Sequence, residues 1–278
     1  MKTRSFVLRW MGAALALPLV GCPGGVCPAV RIEDPATALA SYQQSRETLR
    51  VMRAEARVDR RDEEGRIRGT VMMFLERPDR VRFDAMTQMG PAAILTSDGT
   101  TFALTDLRED RFYVGPTCPS NIERLLGIPL AGDEVALLLT GQTPRIESTR
   151  SEMRCDGGTY HVTLHGNDGR TQHLALEVRP EDREQPPEQQ QMRLRESRVN
   201  AANGSLEWRV TWDDYRAVSD PSGGAAVTMP FRIQFEQPSR GIDTLVRFES
   251  IDLNAEVPAD AFVQEARPGL QVETVQCE

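Results

Sequence analysis

The chain has 278 residues, of which 27% are charged and 40% hydrophobic, and its formal net charge at pH 7 is −8. This length is enough for one large β domain or two small domains. The acidic balance disfavours binding to nucleic acid, and it also disfavours docking on anionic lipid by charge alone.

The first 22 residues have the pattern of a bacterial export signal that ends in cysteine. Three cations precede an apolar run at residues 10–20, and no acid occurs before it. That run is too short to cross a bilayer as a helix, which needs about 20 apolar residues. The sequence Leu19-Val20-Gly21-Cys22 resembles the lipobox of bacterial lipoproteins, which implies cleavage after Gly21 and attachment of lipid, including acyl groups such as palmitate, to Cys22. The alternative is an ordinary signal peptide with a chance cysteine.

The residue after the lipidated cysteine helps to indicate whether a lipoprotein stays in the inner membrane or moves to the outer membrane. In lipoproteins of this kind an aspartate there often marks retention in the inner membrane, whereas this chain has Pro23. The resemblance therefore implies the outer membrane, with the protein on its periplasmic side. Because each buried methylene contributes about 0.8 kcal/mol, several acyl chains on one cysteine would make the anchoring nearly permanent. We expect residues 1–21 to be the signal peptide and residues 22–34 the lipidated cysteine and tether.

Four further cysteines are available for disulfides in the oxidising compartment that an export signal implies. Cys27, Cys118, Cys155 and Cys277 allow three pairings, and the sequence does not choose among them. We expect Cys27 to pair with Cys277, and Cys118 with Cys155. The rival interpretation is a metal site that uses the cysteines with three histidines, but no metal-ligand spacing supports it. These histidines are His161, His165 and His173.

The spacing of the apolar residues changes near residue 50, from the helical period to the alternation that is typical of strands. Asp34-Pro35 opens a helix, because an N-cap is followed by proline in the first turn. About ten or eleven strands then follow, most of them joined by short hairpins, and the last long strand changes phase near Ser250, which suggests a bulge. A sheet this wide must curl or split. Two short apolar helices, Ser120–Leu126 and Asp133–Leu139, are expected to cover its concave side.

The apolar inner face of this sheet is either a plain core or a cavity for an apolar ligand. The sequence contains no nucleophile elbow, phosphate loop or dinucleotide fingerprint. We therefore expect a binding protein rather than an enzyme, with no cofactor and no metal.

A series of weak motifs extends over about residues 50–275, and no single one is diagnostic. These motifs are Arg77-Pro78-Asp79-Arg80-Val81-Arg82, Met89-Gly90-Pro91, Asp98-Gly99-Thr100-Thr101-Phe102, Leu125-Leu126-Gly127-Ile128-Pro129-Leu130, Pro230-Phe231-Arg232-Ile233, Ile251-Asp252-Leu253-Asn254 and Val257-Pro258-Ala259-Asp260-Ala261-Phe262. Together they resemble the LolA and LolB lipoprotein-localisation factors, and more closely the LolB-like outer-membrane lipoproteins.

The resemblance implies an incomplete antiparallel β-barrel with short helices over its concave face, formed as a single domain by residues 35–278. It further implies a monomer that binds membrane lipid and the acyl chains of lipoproteins, receives cargo from a periplasmic LolA-like carrier and assists lipoprotein or lipid localisation to the outer membrane. The side chains expected to bind lipid are Phe83, Leu125, Leu126, Leu138, Trp208, Trp212, Phe231, Ile233 and Phe235.

The resemblance also implies a protruding loop that touches the bilayer, formed here by Met89, Gly90 and Pro91. The alternative is a methionine folded back on the sheet. The chain departs from the family in its length, its extra cysteines and the polar segment Pro180–Gln191. An alternative function is therefore that of a structural or assembly lipoprotein that uses the same fold as a protein-docking surface.

Overall fold

The computed structural model describes residues 25–44, 46–63, 65–221, 223, 226–258 and 260–277. The predicted signal peptide at residues 1–21 and the predicted lipidation site Cys22 lie outside these residues. Among the helices of the described ranges, none combines the length and the apolar character that a membrane crossing requires.

The described chain forms three α-helices and fourteen strands. The helices are α1 (Pro35–Gln44), α2 (Pro119–Leu126) and α3 (Gly132–Leu139). The strands are β1 (Val51–Asp62), β2 (Gly65–Glu76), β3 (Arg80–Thr87), β4 (Gly90–Ser97), β5 (Thr101–Asp106), β6 (Arg111–Pro116), β7 (Arg150–Asp156), β8 (Thr159–His165), β9 (Thr171–Val178), β10 (Met192–Asn200), β11 (Leu206–Val218), β12 (Val227–Gln237), β13 (Ile242–Leu253) and β14 (Gln271–Thr274).

All fourteen strands belong to one open sheet in the order β14-β6-β5-β4-β3-β2-β1-β13-β12-β11-β10-β9-β8-β7. Neighbouring strands are antiparallel except β14 and β6, which are parallel. The mainly β class, the open sheet and the short covering helices are confirmed. The expected number of strands, ten or eleven, was too low.

The strands that the pattern missed lie at the two edges of the sheet. Strand β7 reads Arg-Ser-Glu-Met-Arg-Cys-Asp and is mostly exposed, and the four residues of β14 are all exposed. Only Met153 and Cys155 of β7 are partly buried, and no residue of β14 is, so neither edge strand has an apolar alternation long enough to reveal it. The bulge near Ser250 is confirmed, because the β1–β13 register skips Glu249 between Ser250 and Phe248.

The concave face of the sheet carries the core. One row of it crosses six strands in direct register, and this row consists of Leu104, Leu95, Phe83, Met73, Ala54 and Ile251. Helix α2 packs toward β4, α3 toward β3, and α1 toward β7 and β10. The helices therefore cover the concave face along much of its width.

The disulfides join partners other than the expected ones. Cys27 is bonded to Cys155 on β7, and Cys118 is bonded to Cys277. The pairing of Cys27 with Cys277 and of Cys118 with Cys155 was therefore wrong, although all four cysteines are in disulfides. The reason lies in the sheet, because β14 runs alongside β6 and so brings the C-terminal segment to Cys118, which lies two residues beyond the Pro116 end of that strand.

The segment before α1 is attached to the sheet. The backbone N–H of Ile32 donates a hydrogen bond of 2.9 Å to the hydroxyl of Tyr160 on β8, and the side chain of Ile32 is buried. The amide Nε2 of Gln190 donates a bond of 2.8 Å to the carbonyl of Val30. From Cys27 onward, the expected tether is therefore part of the folded domain.

Candidate functional site

Most of the side chains expected to bind lipid lie in the packed core. Six of them are at most 9% exposed, and these are Phe83, Leu138, Trp212, Phe231, Ile233 and Phe235. Leu125 and Trp208 are partly buried against the same cluster, and the side chain of Leu126 lies outside the described residues. The structure thus brings these residues to one apolar layer, and their contact with an acyl chain stays a prediction.

A cleft of about 740 Å³ opens beside α2 at one end of the concave face. Its lining includes Leu104 on β5, Tyr113 on β6 and Ile242 on β13, which supply apolar surface. Leu104 and Ile242 also belong to the core cluster, so the cleft borders the apolar layer directly. Its remaining lining is largely charged, from the β1–β2 turn, the β5–β6 turn, α2 and the β12–β13 turn. We call it the α2 cleft.

Helix α2 is attached to the far side of its cleft by one ion pair and by close packing. Glu123 and Arg240, in the turn between β12 and β13, form a two-point ion pair with N–O distances of 2.8 and 3.1 Å. The guanidinium of Arg124 lies 5.4 Å from the ring centre of Tyr113. Gly127 ends α2 with φ of 64°, and any side chain there would collide with Arg60 of β1. An ion pair that water reaches contributes about 0–1 kcal/mol, so the Glu123–Arg240 pair adds little to the attachment of α2. The buried side chain of Ile122 and the disulfide of the N-cap residue Cys118 also hold this helix.

Helix α3 is attached to the opposite half of the sheet. The indole Nε1 of Trp212 on β11 donates a hydrogen bond of 2.9 Å to the carbonyl of Leu138. Because α3 also packs toward β3, it spans the concave face between two strands that are far apart in the sheet order.

The chain that follows α3 crosses the same face through buried polar contacts. Gln172 on β9 is fully buried, accepts a bond from the N–H of Ile146 and donates one to the carbonyl of Pro144. Its amide also donates a bond of 2.9 Å to Ser197 on β10, which accepts a second bond from Thr143. Buried polar groups cost free energy unless they are paired, so these bonds hold residues 143–146 in one position.

The loop that was expected to touch lipid is exposed. Met89 lies at the tip of the β3–β4 hairpin and is 98% exposed, and Pro91 is also exposed. Gly90, with φ of 118°, forms part of the turn. The methionine is therefore not folded back on the sheet, while its contact with a bilayer stays a prediction.

Two of the three histidines stack on the other face of the sheet. The ring centroids of His161 and His173 are 5.3 Å apart. Burial, together with the nearby cation Arg198, lowers the pKa of His173 to about 4. His165 instead lies 3.7 Å from Glu152. Within the described ranges, no group of three or more His, Cys, Asp or Glu side chains is placed to hold a metal ion.

The residues of the α2 cleft were missing from the expected site. Leu104, Tyr113 and Ile242 look like ordinary strand residues, and Arg60 and Arg240 look like ordinary turn-proximal charges. They lie far apart in sequence and meet because three hairpin turns and α2 converge at one end of the sheet. The one signal that could have pointed there is Gly127, directly after an apolar helix, which allows a close approach of another element.

Solved structures show what the whole arrangement resembles. A LolA superfamily protein from Nitrosomonas europaea has a TM-score of 0.53 and 11% identity, over 84% of this chain and 99% of its own. A DUF1329 family protein from Desulfovibrio piger has a TM-score of 0.53 and 9% identity, over 82% of this chain and 94% of its own. No protein-family model matches the sequence, and no curated protein matches it. The chain therefore has a LolA-like fold.

Proposed function

We propose that the protein is a lipoprotein of the outer membrane, anchored through Cys22 on the periplasmic side, that binds acyl chains and assists lipoprotein or lipid localisation to that membrane. The LolA-like fold, the export signal with its lipobox pattern and the two disulfides support this proposal. It acts as a binding protein and not as an enzyme. Its partners are membrane lipid, the acyl chains of lipoproteins and a LolA-like periplasmic carrier.

The observation that carries the proposal is the α2 cleft. Leu104, Tyr113 and Ile242 are the apolar part of its lining, and the buried layer lies directly behind them. Because Leu104 and Ile242 are only 6% and 5% exposed, an acyl chain would contact them only after α2 moves. Opening the Glu123–Arg240 ion pair would let the C-terminal half of α2 move away from the turn between β12 and β13, while the Cys118–Cys277 disulfide keeps its N-terminal end in place. An acyl chain that entered there would replace the contacts of α2 with the sheet, and each methylene removed from water contributes about 0.8 kcal/mol.

The binding step is tested with the exported full-length Cys22→Ser variant, which lacks the attached lipid, and a fluorescent palmitoylated peptide. We expect saturable binding, competed by free palmitoylated peptide and not by the same peptide without its acyl group. The variant Arg240→Gln removes the ion pair without changing the core, so the probe should bind several times faster. Arg53→Gln is the matched control, because Arg53 pairs with Asp252 away from the cleft and should leave the rate unchanged.

A cleft-floor variant tests the location. Ile242→Gln places an amide in the apolar floor and is expected to weaken binding about tenfold, since burying an amide without partners costs roughly 1–3 kcal/mol. Equal binding by all four proteins would remove the α2 cleft from the proposal. No acyl-dependent binding at all, together with a stable complex with another envelope protein, would favour the docking function instead.

A further inference from the structure

The Cys27–Cys155 disulfide lies very close in sequence to the proposed anchor. Only four residues separate Cys22 from Cys27. Gly25 already packs against the turn between β7 and β8, since a side chain at Gly25 would collide with the carbonyl of Gly157. Because a residue extends the chain by at most 3.6 Å, Cys22 is within roughly 11 Å of Gly25. Acyl chains on Cys22 would therefore start near this turn.

Strand direction shows which end of the sheet this turn belongs to. Every pair of neighbours from β3 through β1 to β8 is antiparallel, so β1, β3 and β8 run in the same direction. Strand β8 begins at Thr159, beside the β7–β8 turn, whereas β3 ends at Thr87, beside Met89. The Gly157 turn and the Met89 hairpin therefore lie at opposite rims of the sheet. We call them the anchor rim and the hairpin rim.

The distance between the two rims is large compared with the length of the segment that joins Cys22 to Gly25. Strand β1 runs from one rim to the other with twelve residues, which is roughly 40 Å at about 3.3 Å per residue. The α2 cleft lies at the hairpin rim, because the turns at Glu63 and Arg240 both line it.

The anchor rim also presents apolar side chains on either side of the disulfide. Val26 is 72% exposed and Val30 is 56% exposed, although both are held close to the sheet by the neighbouring Cys27 bond and the Gln190 hydrogen bond. The charges at this turn are of both signs, with Arg183 beside Gly25 and Gly158, and with Arg154 paired to Asp156 on either side of Cys155. Contact with a lipid surface would therefore come from the two valines rather than from net charge.

We infer that the Cys27–Cys155 disulfide fixes the domain with its anchor rim against the bilayer that holds Cys22, with Val26 and Val30 at the lipid surface and the hairpin rim facing away from that membrane. This inference rests on the proposed acylation of Cys22. It turns Met89 and the opening of the α2 cleft toward the periplasm, the side from which a soluble carrier would arrive, and away from the bilayer contact that the family resemblance implies for Met89.

The test uses the acylated full-length protein in vesicles of phosphatidylethanolamine, phosphatidylglycerol and brominated phosphatidylcholine, whose bromines quench nearby tryptophan. In a Trp208→Phe background, Val26→Trp, Val30→Trp and Met89→Trp are compared, with buried Trp212 as the common baseline. We expect the two rim-valine variants to be quenched severalfold more than Met89→Trp. The Cys27→Ser/Cys155→Ser variant frees the N-terminal segment from β7 and should therefore reduce that difference in quenching. If the anchor did not fix the orientation of the domain, removing the disulfide would not change the difference.

Quenching of Met89→Trp equal to or greater than that of both valine variants would overturn the inferred orientation while leaving the anchor in place. The mass of the N-terminal peptide separates this from failure of the underlying proposal. A peptide without acyl groups, on a protein that does not float with vesicles, would overturn the anchoring and with it the orientation, whereas acyl-peptide binding in the α2 cleft is measured independently.

Discussion

The indole nitrogen of Trp212 on β11 is bonded at 2.9 Å to the carbonyl oxygen of Leu138 in the last turn of α3. Both residues are almost fully buried, so the bond connects the helix that covers the concave face to the second half of the sheet without any contact with water. It is the polar contact that places α3 across the apolar layer.

The variant Trp212→Phe should lower the free energy of unfolding by about 2–3 kcal/mol, chiefly because a smaller ring leaves a void. The Leu138 carbonyl also loses one hydrogen bond, although it keeps the bond from the N–H of Gly141. Urea unfolding measures this loss, and hydrogen exchange should show faster opening of Gly141 and Gln142, whose N–H groups bond to the end of α3. The control is Trp208→Phe, a half-buried position on the same strand, which should cost clearly less. If the two variants lose the same free energy of unfolding, the hydrogen bond from Trp212 to Leu138 contributes little to stability.

Gln172 offers a second test of how the concave face is filled. The variant Gln172→Leu keeps the volume but removes the partners of Ile146 N–H and of the Pro144 carbonyl. Leaving buried groups unpaired costs about 1–3 kcal/mol each, so we expect a loss of at least 2 kcal/mol in urea unfolding. The exposed change Gln189→Leu serves as the control. If Gln172→Leu leaves the free energy of unfolding unchanged, water must reach the polar groups of residues 143–146.

Each disulfide closes a long loop, with sequence separations of 128 and 159 residues. Removing either bond as a pair of serines is expected to cost about 2–5 kcal/mol, chiefly because the unfolded chain gains freedom. Thermal unfolding of the two double variants measures the loss. Peptide mapping without reductant checks the pairing directly, and a peptide that joins Cys27 to Cys277 would contradict the structure.

The His161–His173 stack predicts a stability that depends on pH. The pKa of His173 is lowered to about 4 in the folded protein, against about 6.5 in the unfolded chain. The unfolded state therefore takes up the proton first as the pH falls, and stability that is present above pH 6.5 is lost between about 6.5 and 4. Because the ring is partly reached by water, we expect a loss of about 1–2 kcal/mol rather than the full value of the shift.

This loss is measured by urea unfolding at intervals between pH 7 and pH 4. The variant His173→Gln should flatten the profile over that range, and His165→Gln, which lies outside the stack, should not. An unchanged profile in His173→Gln would show that other groups cause the pH dependence.

Much of the local structure could be predicted from the sequence, because local signals determine it. The N-cap Asp34 with Pro35 marked the start of α1, and the apolar runs after Ser120 and Asp133 marked α2 and α3 within one residue. Alternating burial revealed the inner strands, since each has one face in the core. Edge strands β7 and β14 carry no such signal, so they emerged only from their pairing with β8 and β6.

The disulfide partners and the site depended on tertiary structure, because they join residues that are distant in sequence. Nothing local distinguishes Cys155 from Cys277 as the partner of Cys27, and the parallel pairing of β14 with β6 decides it. The aromatic and aliphatic residues chosen for lipid binding were correctly placed on the inner face, yet periodicity does not tell a filled core from a hollow. That distinction depends on how α3, bonded to Trp212, and α2, packed toward β4, lie on the sheet. Their packing fills most of the concave face and leaves the α2 cleft at its end.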